Sequence, residues 1–213
     1  MTEDLWINET LYNYKKLRVT LRYYLSGKGW HNALKAMNFA EQYHTGTRKD
    51  GKTPEFEHQI KIGLYVVTLP FLLYPEETLA TVFLHDVAED YDVEFTELES
   101  LFGSKVAKAT ELVTKVHKGN KKTPESYFSE IAKDPIASIV KGADRIHNLQ
   151  GMVGVFTMNG QKHYIKEVKE RFLPMLKAAR RLFPEQELSC ENIKHMLCSQ
   201  VELIEAIHSA KEK

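Results

Sequence analysis

At 213 residues the chain is long enough for one domain with a substantial buried core. Hydrophobic residues at 43% and charged residues at 27% are ordinary for a soluble globular protein, with no run near the roughly 20 apolar residues that span a bilayer. Lys plus Arg and Asp plus Glu number 29 each; the zero net charge argues against a nucleic-acid binder, but leaves room for a local cationic pocket.

In chain order the sequence reads as helix after helix. Met1–Thr10 is acidic and lacks the apolar core of a signal peptide. Leu11, Tyr14, Leu21 and Tyr24 predict an opening helix that stops at the Gly27–Gly29 break, and Ala33, Met37 and Ala40 predict a second. His44 to Thr53, with Gly46 and Gly51 among polar residues, predicts a loop. The run Leu64 to Leu69 is the nearest thing to a strand. Its flanks favour a helix: Pro54, Glu55 and Glu57 make a good first turn, and Ile60, Leu64 and Val67 recur at helical spacing.

Pro75, Glu76 and Glu77 open the next helix, carrying Leu79, Val82, Phe83 and Val87. Thr96 with Glu99 predicts a capping box, and Gly103 a break before a longer helix with Val106, Ala109, Leu112, Val113 and Val116. Thr123-Pro124 and Asp134-Pro135 each read as an N-cap followed by proline at the first helical position. Helices around 161–182 and 192–210 follow, parted by Phe183-Pro184-Glu185. With no repeat, low-complexity segment or linker, the expectation is a single all-α domain over residues 1–213. Two cysteines, Cys190 and Cys198, read as reduced thiols of a cytoplasmic protein.

Chemistry concentrates in three stretches. In His85-Asp86-Val87-Ala88-Glu89-Asp90, helical spacing sets His85 one turn from Glu89 and Asp86 one turn from Asp90, all on one stripe. A histidine beside an aspartate offers nitrogen and oxygen to a divalent metal, and the carboxylates one turn on can orient or deprotonate a metal-bound water. The bland alternative is a solvated acidic helix end. In Lys141-Gly142-Ala143-Asp144-Arg145-Ile146-His147-Asn148, Asp144 is a further candidate ligand, with Lys141 and Arg145 as phosphate binders; a surface Asp–Lys pair is the alternative. His147 falls on the apolar face with Ile136, Val140 and Ala143 and is read as a hydrogen-bonded structural histidine. The glycine-punctuated loop His44 to His58, carrying Arg48, Lys49 and Lys52, suits an anionic ligand, and His58 offers a second imidazole.

Together, in this order, the His-x-Gly-x-Arg-Lys loop ending at His58, the His85-Asp86-x-x-Glu89-Asp90 motif and the Lys141-x-Ala143-Asp144-Arg145-x-His147-Asn148 motif resemble the hydrolase domain of the RelA/SpoT family, over about residues 31–180. The segments Phe102 to Ala107 and Leu112 to Lys115 also match that family's habit. The resemblance implies an HD-domain helical bundle with extra helices at both ends. It implies that His58, His85, Asp86 and Asp144 hold one divalent ion, typically Mn2+, that Glu89 and Asp90 are catalytic, and that Arg48, Lys49, Lys141, Arg145 and Asn148 line the nucleotide and phosphate pocket. Two imidazoles and two carboxylates disfavour Ca2+ and Mg2+, but leave Fe2+, Co2+ and Zn2+ open.

Five positions depart from the family pattern: Gln59 stands where proline usually follows the histidine, Val87 and Ala88 where threonine and valine are usual, Tyr91 where a small hydroxyl is usual, and Gly142 where leucine is usual. The chain ends too soon after residue 180 for a synthetase domain, so it resembles the stand-alone small alarmone hydrolases. The implied reaction removes the 3′-diphosphate of guanosine tetra- or pentaphosphate, a stringent-response nucleotide. Rival readings are an HD phosphohydrolase acting on an adenosine alarmone, a dNTP or NADPH, and a non-catalytic nucleotide-binding or antitoxin-like module. At the ends, Tyr12, Tyr14, Tyr23, Tyr24 and Trp30 pack an added helix on the core or form an oligomer interface. Ile193, Met196, Leu197, Val201, Ile204 and Ile207 make the last helix amphipathic, for packing on its own domain.

Overall fold

Helix caps and glycine stops divide the chain into its elements. The computed structural model describes the backbone of residues 3–211 and the side chains of residues 13–210; the side chains of Leu11 and Tyr12, read above as part of the opening helix, lie outside the described residues. Within that span the chain is helical apart from one two-stranded hairpin, a single bridge in a loop and the connections. Two units emerge. One takes the chain up to Thr68 together with Pro75–Lys121, the other Leu69–Tyr74 together with the chain from Lys122 onward.

In the first unit, α1 (Glu3–Gly27) stops ahead of Gly29, whose φ of +69° suits a residue without a Cβ. Then α2 (His31–Glu41) buries Ala33, Ala36, Met37 and Ala40, α3 spans Glu57–Val66, and α4 (Pro75–Leu84) is buried from Thr78 onward. Glu76 on α4 accepts the Asn32 amide at 2.7 Å, satisfying an orphan donor in the first turn of α2. At Gly63 of α3 a Cβ would lie 2.9 Å from Leu21 Cδ2, so the glycine leaves the space that this Leu21 methyl occupies. Leu21, Leu25, Ile60, Leu79, Phe83 and Leu84 are fully buried, each worth about 1.5–3 kcal/mol in removal from water. The unit continues through α5 (Val87–Asp90), α6 (Phe95–Phe102), α7 (Ser104–Val113) and the hairpin β1 (Val116–His117) with β2 (Asn120–Lys121).

Four local expectations change here. The α3 helix begins at Glu57 rather than at Pro54, because Pro54 to Phe56 form tight turns that accept the Glu57 and His58 amides. The predicted continuous helix through Val87 breaks after Leu84: His85 and Asp86 form a turn, and the His85 ring engages Val82 O. Thr96 is the second residue of α6, whose N-cap is Glu94 with no side-chain cap, so the Thr96–Glu99 capping box does not form. Val116 lies in a hairpin, not in a helix: Lys118 (φ +49°) and Gly119 (φ +78°) make the left-handed pair that a two-residue hairpin turn requires.

In the second unit the predicted caps are in place. Thr123 accepts the Ser126 amide before Pro124 in α8 (Pro124–Ile131), and Asp134 accepts the Ile136 and Ala137 amides before Pro135 in α9 (Pro135–Met152). Next come α10 (Met158–Glu167), a π-helical turn at Val168–Phe172 and α11 (Leu173–Leu182). Pro174 has no amide to donate one turn back and its ring crowds the carbonyl there, which accounts for the widened turn just before it. A 3-10 turn at Pro184–Gln186 leads into α12 (Glu187–Lys211). Gln186 donates to Pro135 O at 2.9 Å, and Ser189 donates to Pro70 O.

Gly142 on α9 faces α12: a Cβ there would meet Ile193 Cγ2 at 2.7 Å and Leu176 Cδ2 at 3.4 Å. The glycine that departs from the family pattern is thus the residue that admits the C-terminal helix, whose Ile193, Leu197, Val201 and Ile204 are buried. Tyr24 and Trp30 pack edge to face at the end of α1, whereas Tyr23 is exposed. Cys190 and Cys198 are both free thiols, and burial pushes the Cys190 thiol up to about 11. No helix among the described residues is long and apolar enough to cross a membrane.

Candidate metal centre

The first unit brings three of the candidate ligands together. His58 sits in the first turn of α3, and His85 and Asp86 occupy the turn between α4 and α5. Asp86 Oδ2 lies 3.0 Å from His85 Nε2 and 3.9 Å from His58 Nε2, and donor atoms from the three residues all lie within 4.8 Å of one another. Ligands about 2.0–2.2 Å from one ion are themselves roughly 3–4 Å apart, so the spacing fits a shared divalent metal. His85 Nδ1 donates to Val82 O at 2.8 Å, which fixes the tautomer and leaves Nε2 as the ligand nitrogen. Both histidines are buried, while the Asp86 side chain is one-third exposed, so the cluster opens on its carboxylate side.

The helix break does not disperse the motif. Asp90 N donates to Asp86 O at 2.8 Å, carrying the carboxylate pair one turn beyond the ligands. Glu89 Oε2 accepts the Lys115 amide at 2.8 Å, so one of its oxygens is held and the other is available for chemistry. Both residues are exposed by area, yet the Asp90 carboxyl is partly sheltered. That desolvation, followed by repulsion from Asp86, Glu89 and Glu55, pushes Asp90 up to about 6. A carboxyl poised there exchanges protons near neutral pH.

Arg48 and Lys49 lie in the predicted loop, which is ordered by its own chemistry. Thr47 bridges to Pro54, Arg48 N donates to Thr53 O at 2.9 Å, and Gly51 takes φ +71°. Although burial works the other way, hydrogen bonds from the Thr53 side chain and from the Lys52 and Thr53 amides hold the Asp50 carboxyl below its ordinary value. Next to the loop, His44 is buried, and that burial pushes its pKa down despite Asp86 and Glu55 nearby. The buried Gln59 side chain faces His44 Nε2 at 3.4 Å, a contact that the family's usual proline has no group to make. Tyr91 donates to Glu55 Oε2 at 3.1 Å and sits edge-on to the His44 ring.

The second unit carries the remaining candidates on α9. Asp144 is buried; Lys141 Nζ approaches its Oδ2 at 2.9 Å and Asn148 donates to its Oδ1 at 2.6 Å. These three residues therefore form one polar group. Arg145 turns elsewhere: it is buried, pairs with Glu167, and its guanidinium stacks 4.4 Å from the ring centres of both Tyr164 and Phe172. His147 is half-buried.

Several partners escaped the sequence reading. Lys115, which holds Glu89 through its backbone, ends the family-like segment Leu112 to Lys115 but was given no role there, and Glu167, which holds Arg145, carries no motif signal. Glu55 was read only as a helix-starting residue. Tyr91 was visible as a departure from the family pattern, but its link to Glu55 spans 36 positions and has no periodicity to betray it.

Comparison with known proteins agrees with the geometry. A family model described as an HD domain matches residues 36–181. A Synechocystis protein named probable guanosine-3′,5′-bis(diphosphate) 3′-pyrophosphohydrolase is 32% identical over 150 residues, covering 66% of this chain and 19% of its own length. The Aquifex aeolicus protein named guanosine-3′,5′-bis(diphosphate) 3′-pyrophosphohydrolase is 31% identical over 146 residues, 66% and 20% of the two lengths. The chain thus spans about a fifth of these curated relatives. Among solved structures, a metazoan orthologue of SpoT, described as hydrolysing ppGpp and acting in starvation responses, superposes with a TM-score of 0.59. It is 24% identical and the match covers 76% of this chain and 93% of that one, a likeness of fold.

Proposed function

The chain belongs to the HD-domain family, and from that premise we propose that it is a metal-dependent hydrolase that removes the 3′-diphosphate of guanosine tetra- or pentaphosphate. The observation that carries the reading is the cluster of His58, His85 and Asp86 with the Glu89–Asp90 carboxylate pair one turn beyond. Two relatives about 31–32% identical over about two-thirds of this chain bear names for this reaction. The whole chain, residues 1–213, is proposed to serve as one hydrolase domain, and its free thiols suit a reducing, cytoplasmic compartment.

A divalent ion bound by these residues, Mn2+ on the family resemblance, supplies a Lewis acid and a water of lowered pKa, near 7 at about the most favourable known sites. His58, His85 and Asp86 would hold it, with Asp144 assigned as a fourth ligand from its motif; the bonds from Lys141 and Asn148 keep that carboxylate oriented. Glu89, steadied by the Lys115 amide, takes a proton from the attacking water. Asp90 protonates the departing 3′ oxygen or shares the proton with Glu89. Water adds its oxygen to phosphorus, the bond from phosphorus to the 3′ oxygen breaks, and GDP or GTP leaves with pyrophosphate. Arg48, Lys49, Lys141 and Asn148 offset or orient the diphosphate charge. Arg145, a phosphate binder on the resemblance, pairs with Glu167 through Nη2 and keeps Nε and Nη1 without a hydrogen-bond partner among the described residues.

A panel of guanosine tetraphosphate, an adenosine alarmone, a dNTP and NADPH, with products resolved, tests this reading. The proposal expects the highest kcat/KM for guanosine tetraphosphate, with GDP and pyrophosphate as products. Preference for another substrate by tenfold or more, or binding without product, would replace it.

A further inference from the structure

Tyr91 stands at the end of α5, directly after the carboxylate pair, and its hydroxyl reaches back to the basic loop. The contact falls on the residue that closes the loop. Glu55 N donates to Gly46 O at 2.9 Å, and Glu55 Oε2 accepts both the Gly46 amide at 3.3 Å and the Tyr91 hydroxyl at 3.1 Å. Gly46 makes room for this: a Cβ there would sit 3.2 Å from that same oxygen. The Tyr91 ring is fixed in turn between Tyr43, with centroids 5.5 Å apart, and His44, 5.0 Å away at 82°. Gln59 faces His44 Nε2 at 3.4 Å, and the Tyr91 hydroxyl lies 3.4 Å from Nδ1, so the imidazole is bracketed from both sides.

Bridge and turn bonds keep the loop in shape internally, but they do not say where it points. The Tyr91–Glu55 bond ties its closure to the end of α5. We propose that Tyr91 is a positioning residue: through Glu55 it latches the loop bearing Arg48 and Lys49 at a set distance from Glu89 and Asp90, and so holds those cations where the phosphates of the nucleotide bind. This rests on the proposed hydrolase reading. The latch acts on binding, because the bond it makes is the same before and during the reaction, whereas an interaction that grows only in the transition state would act on kcat.

Tyr91→Phe keeps the ring and removes only the hydroxyl, and Glu55→Gln keeps an oxygen that still accepts from Tyr91 and Gly46. For Mn2+-loaded protein and guanosine tetraphosphate, Tyr91→Phe is expected to raise KM about five- to tenfold with kcat changed less than about twofold, the loss of one hydrogen bond to a charged acceptor. Glu55→Gln leaves a weaker, uncharged acceptor for Tyr91 and Gly46 and is expected to raise KM, but by less than Tyr91→Phe does. Amide hydrogen exchange, which needs no turnover, is expected to speed up at Gly46, Arg48 and Gly51 in Tyr91→Phe and to stay unchanged in α9. An unchanged KM, a fall in kcat alone, or unaltered loop exchange in Tyr91→Phe would overturn the latch. Should the parent chain turn over no guanosine tetraphosphate, the hydrolase reading fails and the exchange result alone decides: faster exchange supports the latch and unchanged exchange removes it.

Discussion

Substituting Gly142 probes how the family core accepts its extra C-terminal helix. Alanine at a helix interior is ordinarily better than glycine by about 0.5–1 kcal/mol. Here its methyl would lie 2.7 Å from Ile193 Cγ2, far inside the ~3.5–4.0 Å optimum for carbon pairs, and 3.4 Å from Leu176 Cδ2. Ile193 is β-branched and on a helix, so one χ1 rotamer dominates and its Cγ2 has no easy retreat. Overpacking of this kind costs about 1–3 kcal/mol, which outweighs the propensity gain and leaves Gly142→Ala about 1–2 kcal/mol less stable. Gly142→Leu, the family's usual residue, adds three more carbons to the same space and is expected to lose roughly 3 kcal/mol or to displace α12. In urea, with m near ~2 kcal/mol/M, the alanine variant should unfold at a midpoint about 0.5–1 M lower with m unchanged. Combining it with Ile193→Ala should cost at least about 1 kcal/mol less than the two single losses together, because truncating Ile193 removes the clash and the added methyl fills part of the cavity left behind. A Gly142→Ala chain as stable as the parent would refute the reasoning.

Three further outcomes follow from the candidate site. In metal-free protein the raised pKa of Asp90 means that its protonated form favours folding; the contribution is full below the ordinary carboxylate pKa, about 3.9, and is lost as pH rises through about 6. Asp90→Asn should therefore gain on the parent between about pH 4.5 and 7.5, by roughly 1 kcal/mol after allowing for the exposure of the residue, and an equal difference at both ends would contradict this. Glu89→Gln keeps the bond to Lys115 N and loses the base, so kcat for guanosine tetraphosphate should fall about 10²-fold or more while metal binding persists; full turnover with metal bound would remove Glu89 from the chemistry. Arg145→Lys cannot stack its ammonium on Tyr164 and Phe172 as a planar guanidinium does, and thermal unfolding should report a loss of about 2 kcal/mol; an unchanged melting temperature would show that the stack contributes little.

What was legible in the sequence was local. Thr123 and Asp134 cap their helices because a short polar side chain before proline has few other uses, and Gly103 stops α6 at a φ of +88° that other residues resist. His58, His85 and Asp86 were marked by residue type, and the structure draws them within one ion's reach. The break after Leu84 was hidden, because apolar spacing runs unbroken from Leu79 to Val87 and only the engagement of the His85 ring with Val82 O interrupts the helix. The π turn before Pro174 and the Lys118–Gly119 hairpin arise from backbone geometry within otherwise helical spacing. Glu55 with Tyr91, and Gly142 with Ile193, are contacts between distant segments: each residue's role exists only once its partner has been folded against it. For Arg145 the motif signalled a cation, whereas the pairing of its Nη2 with Glu167 and the packing of its guanidinium over two rings come from distant segments.

Titrating Mn2+ into the metal-free chain while following release of pyrophosphate from guanosine tetraphosphate, in parallel with His85→Ala, tests the central claim most directly. The account predicts turnover that rises with one bound ion per chain and yields GDP and pyrophosphate, with both ion binding and turnover lost in the variant. Turnover independent of added metal, or a His85→Ala chain that hydrolyses the nucleotide as fast as the parent, would contradict it.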